Sequence, residues 1–317
     1  MFDKDFILKK IKYQIKNGNI VVKIILANLF IYILGVAINL ISLLFGFKGT
    51  LLADYFSKAW LYIPSQINEF IYLPYTLLTY QFLHSSFFHI LANMVVVYYF
   101  GTVFISLTHK KKLLPLYILG GIFSGLFYLI IFNIIPSLQT ESIYLVGASG
   151  SAMAILSAVA TLIPEREIYL FRSFKVKYKW IAFFFLGINL LSIITSFTTN
   201  VETADQLFLI KGLAGNLAHV GGLLFGFLFI YLYKKGYDLA KPVNRIINNI
   251  SPYFVERKEP KISYVNDKFK EKKQFNPKKI DTATEDKINA ILDKIKESGY
   301  EKLTKAEKDF LFNNSNK

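Results

Sequence analysis

Gly147-Ala148-Ser149-Gly150 forms a short stretch with almost no side chains between two strongly apolar regions of the chain. A hydroxyl group in hydrocarbon is costly unless something uses it, so a serine in this setting is a candidate functional residue. Gly and Ser are also the usual close-packing residues between membrane helices. Taken alone, the motif fits helix packing better than chemistry, because short Gly/Ser motifs have a high false-positive rate.

A histidine on a second apolar segment is predicted to lie at the same depth as Ser149. A helix from Ser149 to the break at Pro164 has about 15 residues and spans about 22 Å, against about 30 Å of hydrocarbon. Ser149 therefore lies below the outer surface. His219 lies eight residues, or about 12 Å, inside from Lys211. The hydroxyl and the imidazole are thus predicted near the same face of the membrane.

Small residues on both segments predict a close approach of two helices. Gly222 and Gly226 follow His219 at three and seven residues, which places them on its side of the helix. A matching small stripe on the Ser149 helix consists of Gly150, Ala154 and Ala158. Because small residues let helix backbones pack tightly, we expect the Ser149 hydroxyl and the His219 imidazole to come within hydrogen-bond reach.

Two donors on a third segment suggest a site for developing negative charge. His89 and Asn93 are four residues apart and share one helix face toward its outer end. Together with the Ser149 backbone N–H, they could stabilise the oxyanion of an acyl-transfer intermediate. Zinc is the rival explanation, but His84 and His89 are five residues apart and no carboxylate completes a ligand pattern. No metal and no cofactor are predicted, and hydrogen bonding between helices remains the alternative for each polar residue alone.

The composition predicts a polytopic membrane protein. The 317 residues are 53% hydrophobic and include several apolar runs of a length that spans a bilayer. The absence of cysteine excludes disulfides, thiol catalysis and Cys-ligated metals. A formal net charge of +15 is interpreted as Lys and Arg in loops on the inner side, and no nucleic-acid partner is predicted.

Six membrane helices connected by loops of alternating charge are predicted. Because the basic loops all fall on one side, both termini are expected to be cytoplasmic, with the first run retained rather than cleaved as a signal peptide. The fold class is an all-α, six-helix membrane bundle with a small helical tail. The predicted helices are 21–47, 84–107, 113–135, 149–163, 180–197 and 211–233.

Four regions follow from this reading: an N-terminal cytoplasmic segment (1–20), the membrane domain (21–235), a cytoplasmic linker (236–279) and a short helical hairpin (280–317). The linker has scattered prolines and no sustained periodicity, and can lie along anionic headgroups. In the hairpin, Gly299 is placed to end one helix, and Thr304 with Glu307 fits a capping box that opens the next.

At this point the chain resembles the rhomboid intramembrane serine proteases of bacterial type. The resemblance covers about 21–235 and includes His84-x4-His89-x3-Asn93, Gly147-Ala148-Ser149-Gly150 and Ala218-His219-Val220-Gly221-Gly222. It implies that Ser149 is the nucleophile and His219 the general base of a dyad, with His89, Asn93 and the Ser149 amide as the oxyanion site. Supporting positions are His84, Gly147, Gly150, Met153, Gly222 and Gly226.

The same resemblance implies substrates and a location. Family substrates are transmembrane helices of other membrane proteins, cleaved near the outer side of the bilayer. The expected partners are therefore such proteins and membrane lipids, and the expected location is a bacterial inner (plasma) membrane. Nothing in the sequence specifies an oligomeric state.

The chain departs from the family pattern at three places. Met153 stands where many members have an aromatic residue that stacks on the base, so weaker orientation of His219 is expected from that side. Trp60-Leu61 replaces a frequent Trp-Arg pair, and Ser157 replaces a frequent glycine.

Two other classes of function compete with the peptidase. A non-catalytic, derlin-type protein that binds clients is the alternative, although such proteins typically lose the Ser or the His. A transporter would predict charges deep within the spans, which the sequence lacks.

Overall fold

The computed structural model describes residues 19–46, 52–135, 143–170, 174–198, 205–254 and 282–315. The chain divides into two compact units, the first holding the described residues up to Phe254 and the second those from Thr282 onward. Most of the predicted N-terminal segment, the stretch 255–279 of the predicted linker and the first two residues of the predicted hairpin lie outside the described residues.

The first unit is helical, with two small strand pairs. Its helices are α1 (Ile20–Leu44), α2 (Leu52–Trp60), α3 (Ile67–Phe70), α4 (Thr76–Thr79), α5 (Phe87–Leu107), α6 (Leu113–Ile134), α7 (Ser149–Leu162), α8 (Tyr178–Thr198), α9 (Asp205–Lys234) and α10 (Ala240–Phe254). Strand β1 (Ile63–Pro64) pairs antiparallel with β2 (Tyr144–Leu145), and β3 (Glu167–Leu170) forms a hairpin with β4 (Phe174–Lys177).

Five helices of the described chain are long and apolar enough to cross a membrane: α1, α5, α6, α8 and α9. The sixth predicted helix is α7, a shorter apolar helix of 14 residues and therefore about 21 Å. The all-α, six-helix prediction is thus confirmed, with five full-length spans and one short helix. Helix α9 begins at Asp205, six residues before its predicted start at Lys211.

Helix α7 occupies the centre of the first unit. All its residues from Gly150 to Ala160 are buried, which fits a helix that is apolar or small on every side. It packs against α5, α6, α8 and α9. By contrast, α1 and α8 leave most of their apolar side chains exposed, as expected for helices that face lipid.

The contact between α7 and α9 is close enough to exclude side chains from part of it. A Cβ atom at Gly222 would overlap the carbonyl oxygen of Gly150. A Cβ atom at Gly226 would overlap the carbonyl oxygen of Ala154 and would lie 2.9 Å from the backbone nitrogen of Ala158. The predicted pairing of the two small-residue stripes is therefore present in the structure.

Helix α10 corrects the sequence reading, which gave this part of 236–279 no regular structure. Asp238 accepts a hydrogen bond from the Ala240 backbone nitrogen at 3.0 Å and forms a 2.5 Å ion pair with Lys112. The side chain of Asn244 donates to the Lys111 carbonyl oxygen at 3.1 Å. Two of the prolines that suggested a linker lie in this helix. Pro242 falls in the first helical turn, where no backbone N–H is needed, and Pro252 falls in the last turn.

The second unit is the predicted helical hairpin, formed by α11 (Thr282–Ser298) and α12 (Lys305–Ser315). Gly299 adopts a positive φ of 80° where α11 ends. The capping box is formed, since the Glu307 carboxylate accepts from the Thr304 backbone nitrogen at 2.7 Å. Hydrogen bonding to Lys294, and then to Thr304, lowers the pKa of Glu307 to about 2.

The glycine contact gives a testable prediction about stability. Changing Gly226→Ala should destabilise the protein by about 1–3 kcal/mol, because the added methyl group meets backbone atoms of α7 that cannot move aside. The matched control is Gly187→Ala on α8, where nothing lies within 4 Å of the new atom. That variant should be neutral or more stable by about 0.5–1 kcal/mol. Thermal unfolding in detergent measures both, and equal midpoints would contradict the close contact.

Candidate active site

Ser149 is the first residue of α7, directly after a turn that only glycine adopts readily. Gly147 has a φ of 122°, and its backbone nitrogen donates to the Tyr80 carbonyl oxygen at 3.0 Å. The first helical hydrogen bond runs from Ala152 to the Ala148 carbonyl at 2.9 Å. The Ser149 backbone N–H is consequently among the N-terminal amides that have no partner within the helix. Its side chain is half-buried.

His219 is held by a residue of the neighbouring helix. On α9, its Nδ1 lies 2.8 Å from Oδ1 of Asn189 on α8. Asn189 Nδ2 donates to the Phe185 carbonyl oxygen at 2.6 Å, so the amide nitrogen is already used and Oδ1 accepts. This network assigns the proton to Nδ1 and leaves the lone pair on Nε2. The ring is therefore in the state that a general base requires.

Ser149 and His219 lie on either side of the glycine contact. A Cβ atom on Gly150, next to Ser149, would be 3.5 Å from the carbonyl oxygen of Ala218, next to His219. Among the described residues, however, no hydrogen bond joins the Ser149 hydroxyl to the His219 ring. Catalytic hydrogen bonds are often long before substrate binds. The backbone approach is observed, and the predicted contact between the two side chains stays a prediction.

The two predicted donors face the turn before Ser149. A Cβ atom on Gly147 would lie 2.6 Å from His89 Nε2 and 3.8 Å from Asn93 Nδ2. Ser85 Oγ lies 3.1 Å from His89 Nδ1, which leaves Nε2 directed at the turn. Asn93 is 7% exposed, and its Nδ2 has no hydrogen-bond partner within the described part of the chain. A buried donor without a partner is rare and marks a place where a ligand atom can bind.

His84 packs against His89. The two rings are 5.2 Å apart and roughly perpendicular. Burial, with a smaller effect of His89, lowers the pKa of His84 to about 4, so the ring is neutral at neutral pH. In the described residues no three His, Cys, Asp or Glu side chains converge as a metal site would require. The structural role implied for His84 remains a prediction.

The other supporting positions also surround the site. Met153 is 6% exposed, and its Cβ lies 3.1 Å from the position that a Cβ on Gly222 would take. A Cβ on Gly150 would lie 2.6 Å from Cβ of Ser124 on α6. Ser157, which replaces a frequent glycine, donates to the Leu223 carbonyl oxygen at 2.6 Å and adds a hydrogen bond between α7 and α9.

Two polar residues beside the site were not predicted from the sequence. Gln81 is fully buried and accepts a hydrogen bond from Ser151 Oγ at 3.1 Å, which ties the loop before α5 to the first turn of α7. The second is Asn189. A single amide within an apolar span is a usable signal, because polar groups in membrane helices need partners, but the partner cannot be identified without the fold.

Comparison with known proteins decides the family. Residues 73–236 match the family model described as a rhomboid domain, which is just over half of the chain. The chain belongs to the rhomboid family. This region includes α5 to α9 and hence every predicted catalytic and oxyanion residue. The membrane-protein nature of the chain follows from the family and from its five apolar spans.

Three relatives show how far the likeness extends. Presenilin-associated rhomboid-like protein A, mitochondrial, of Danio rerio is 33% identical over 183 residues, covering 54% of this chain and 42% of the relative. Presenilin-associated rhomboid-like protein, mitochondrial, of Homo sapiens is 27% identical, covering 53% and 41%. RHOMBOID-like protein 12, mitochondrial, of Arabidopsis thaliana is 29% identical, covering 42% of each. The chain thus spans less than half the length of these relatives.

The relatives correct the predicted location. Their names place all three in mitochondria, which conflicts with a bacterial plasma membrane. The prediction of that membrane, with cytoplasmic termini, is therefore wrong, and the bacterial type of the resemblance is not confirmed. Alternating loop charge shows which loops share a side of a membrane, but it does not identify the membrane.

The turn before Ser149 gives a second prediction. Gly147→Ala should lower the thermal midpoint strongly, because an alanine there has an unfavourable φ and its methyl group meets the His89 ring. Gly46→Ala is the matched control, since Gly46 also has a positive φ, 80°, but nothing within 4 Å. This variant should lower the free energy of unfolding only by the strain of a positive φ in alanine, about 1–2 kcal/mol. Equal losses in the two variants would show that His89 does not pack on the turn.

Proposed function

We propose that this protein is an intramembrane serine endopeptidase that cleaves transmembrane segments of other membrane proteins. The observation that carries the proposal is the convergence of two side chains, half-buried His89 and buried Asn93, on the glycine turn that presents Ser149. Each polar residue alone has a structural explanation. Helix packing does not require an unpartnered Asn93 amide directed at the N-terminal turn of the helix that carries Ser149.

The reaction that fits this arrangement is acyl transfer. Ser149 Oγ attacks the peptide carbonyl carbon while His219 Nε2 takes its proton. The negative charge that develops on the carbonyl oxygen is stabilised by the Ser149 amide, His89 and Asn93. His219 then donates the proton to the leaving amine as the C–N bond breaks. Water hydrolyses the acyl-enzyme, with His219 again acting as the base.

The short helix supports a membrane protein as the substrate. Because α7 spans only about 21 Å of about 30 Å of hydrocarbon, Ser149 is expected below the membrane surface. A transmembrane helix protects its peptide carbonyls by internal hydrogen bonds, so the substrate must unwind before Ser149 can attack. Unwound backbone is tolerated at membrane depth only within a polar, protein-lined site, and the polar side chains of His89 and Asn93 beside Gly147 support such a site here.

The second candidate is a non-catalytic rhomboid-like protein that binds membrane proteins and lipids. Two observations favour it. The names of the relatives describe them as rhomboid-like and state no peptidase activity. In the described residues, Ser149 and His219 also share no hydrogen bond. Under this candidate, Ser149 and the glycines serve helix packing, and His89 and Asn93 are groups of a binding surface.

Labelling with a fluorophosphonate probe decides between the two candidates. The purified protein should react at Ser149, and Ser149→Ala or His219→Ala should abolish labelling, because the first removes the nucleophile and the second its base. Ser157→Ala is the control. Its hydroxyl lies on the same helix but bonds to the Leu223 carbonyl, so this variant should label normally.

Two results would contradict the peptidase. Labelling that persists in Ser149→Ala would mean that the probe reacts elsewhere. A folded natural chain that does not react, in detergent or in lipid vesicles, would favour the non-catalytic candidate. Circular dichroism and thermal unfolding of every variant establish that it is folded.

The oxyanion donors give a separate quantitative prediction. His89→Ala and Asn93→Ala should each slow the labelling reaction by about 10²–10³-fold, the usual effect of removing one donor to a developing oxyanion. Asn133→Ala is the control, since its side-chain nitrogen bonds to the Ser65 carbonyl oxygen at 2.7 Å, away from this site. Rate constants are measured from labelling time courses. An unchanged rate in both donor variants would remove these residues from the oxyanion site.

A further inference from the structure

We infer that Asn189 is the positioning residue of the His219 base, so that the site works as a Ser149–His219–Asn189 triad rather than as a dyad. The inference rests on the proposed function, since it assigns a role within that site. It also extends the prediction from the sequence, in which Ser149 and His219 form a dyad. The test below separates failure of this assignment from failure of the peptidase proposal.

The contacts of the Asn189 side chain are those needed to orient the His219 ring. Asn189 is 4% exposed, and its Oδ1 lies 2.8 Å from His219 Nδ1. Its Nδ2 is held at 2.6 Å by the carbonyl oxygen of Phe185, one turn earlier in α8. The amide therefore cannot turn over without losing that bond and presenting a donor to the ring. The hydrogen bond to Asn189 therefore fixes the orientation of the His219 ring and places the proton on Nδ1.

Fixing the proton on Nδ1 has a chemical consequence at the other nitrogen. A neutral imidazole has one N–H and one lone pair, and an acceptor at Nδ1 leaves the lone pair on Nε2. Nε2 can then accept the Ser149 proton. After proton transfer, Nδ1–H still donates to Asn189, so the same bond holds the imidazolium. The neutral amide orients the base without adding a charge to the membrane interior.

The rest of the site leaves this role to Asn189. The α7 side contributes Met153, which fills space but has no flat ring to stack on the imidazole and no acceptor for Nδ1. The neighbouring titratable group is His89 on α5, which supplies no carboxylate. Within the described residues, Asn189 is the hydrogen-bond partner of the His219 ring.

A structural role for Asn189 is the competing explanation, and the chain contains a matched control for it. Asn216, one turn before His219 on α9, donates to Ser192 Oγ on α8 at 2.6 Å. It also joins the same two helices by a side-chain hydrogen bond, and among the described residues no hydrogen bond links it to the His219 ring. If Asn189 only joins α8 to α9, removal of either amide should have the same effect.

The decisive experiment compares Asn189→Ala, Asn189→Asp and Asn216→Ala in the full-length protein. Asn189→Ala should slow fluorophosphonate labelling of Ser149 by about 10–100-fold, as expected when a reacting group loses its alignment. Asn189→Asp should restore much of the rate, because a carboxylate also accepts from Nδ1. It should also move the acidic limb of the rate–pH profile to higher pH by about 1–3 units, since a carboxylate favours the charged ring, which cannot accept a proton. Asn216→Ala should change neither the labelling rate nor the rate–pH profile.

The tautomer of His219 can be measured without any activity. The sequence has only four histidines, so ¹⁵N-histidine labelling gives a spectrum that can be assigned by substitution. The natural chain and Asn216→Ala should show the Nδ1–H form of His219. Asn189→Ala should lose that preference.

The outcomes separate the two proposals. A natural chain that labels at Ser149, with Asn189→Ala labelling equally fast and keeping the Nδ1–H tautomer, overturns the triad and leaves the peptidase standing. A folded natural chain that does not label overturns the peptidase, whatever the tautomer. Equal losses of rate in Asn189→Ala and Asn216→Ala, with no shift of the pH profile in Asn189→Asp, reduce Asn189 to a structural link and also overturn the triad.

Discussion

The contact between the backbones of α7 and α9 is the constraint on which the site depends. Where Gly222 meets the Gly150 carbonyl, α9 has no room for a side chain. Ser149 and His219 are attached immediately beside this contact, so their separation is set by backbone packing rather than by flexible side chains. Apolar membrane helices gain little from the hydrophobic effect when they associate in lipid, and close van der Waals contact between glycines is one of the few forces available to hold such a geometry.

Buried polar groups inside the first unit form hydrogen bonds, with a few exceptions. Tyr80 donates to the Gly121 carbonyl at 2.6 Å, and Tyr117 donates to the Gln81 carbonyl at 2.9 Å. Among the described residues, the buried side-chain atoms without a partner belong to Ser42, His84 and Asn93. Two of these three lie at the loop and helix that face the Ser149 turn. Apart from Ser42 on α1, the unpartnered buried atoms of the described residues therefore lie on or beside the helix that faces this turn.

The sequence predicted the six membrane helices, their order and the glycine contact, because each rests on a local pattern that survives into the fold. Apolar length gave the spans, and three- and four-residue spacing gave the faces. Helix α10 was missed because Pro242 reads as a breaker unless the helix start is known. Asn189 was missed for a different reason. Its significance comes from a residue on another helix, 30 positions away, and no spacing rule connects an isolated amide to His219.

The enclosure of α7 divides the chain into positions that differ in their tolerance of change. From Gly150 to Ala160 every side chain is buried, so a substitution there must preserve volume as well as polarity. On α1, by contrast, residues such as Phe30 and Leu40 are exposed and are expected to face lipid, where any apolar residue of similar hydrophobicity serves equally well. Most of the sequence of α1 can therefore drift between distant relatives while the central helix stays nearly fixed, and low identity over the whole chain is compatible with an unchanged centre.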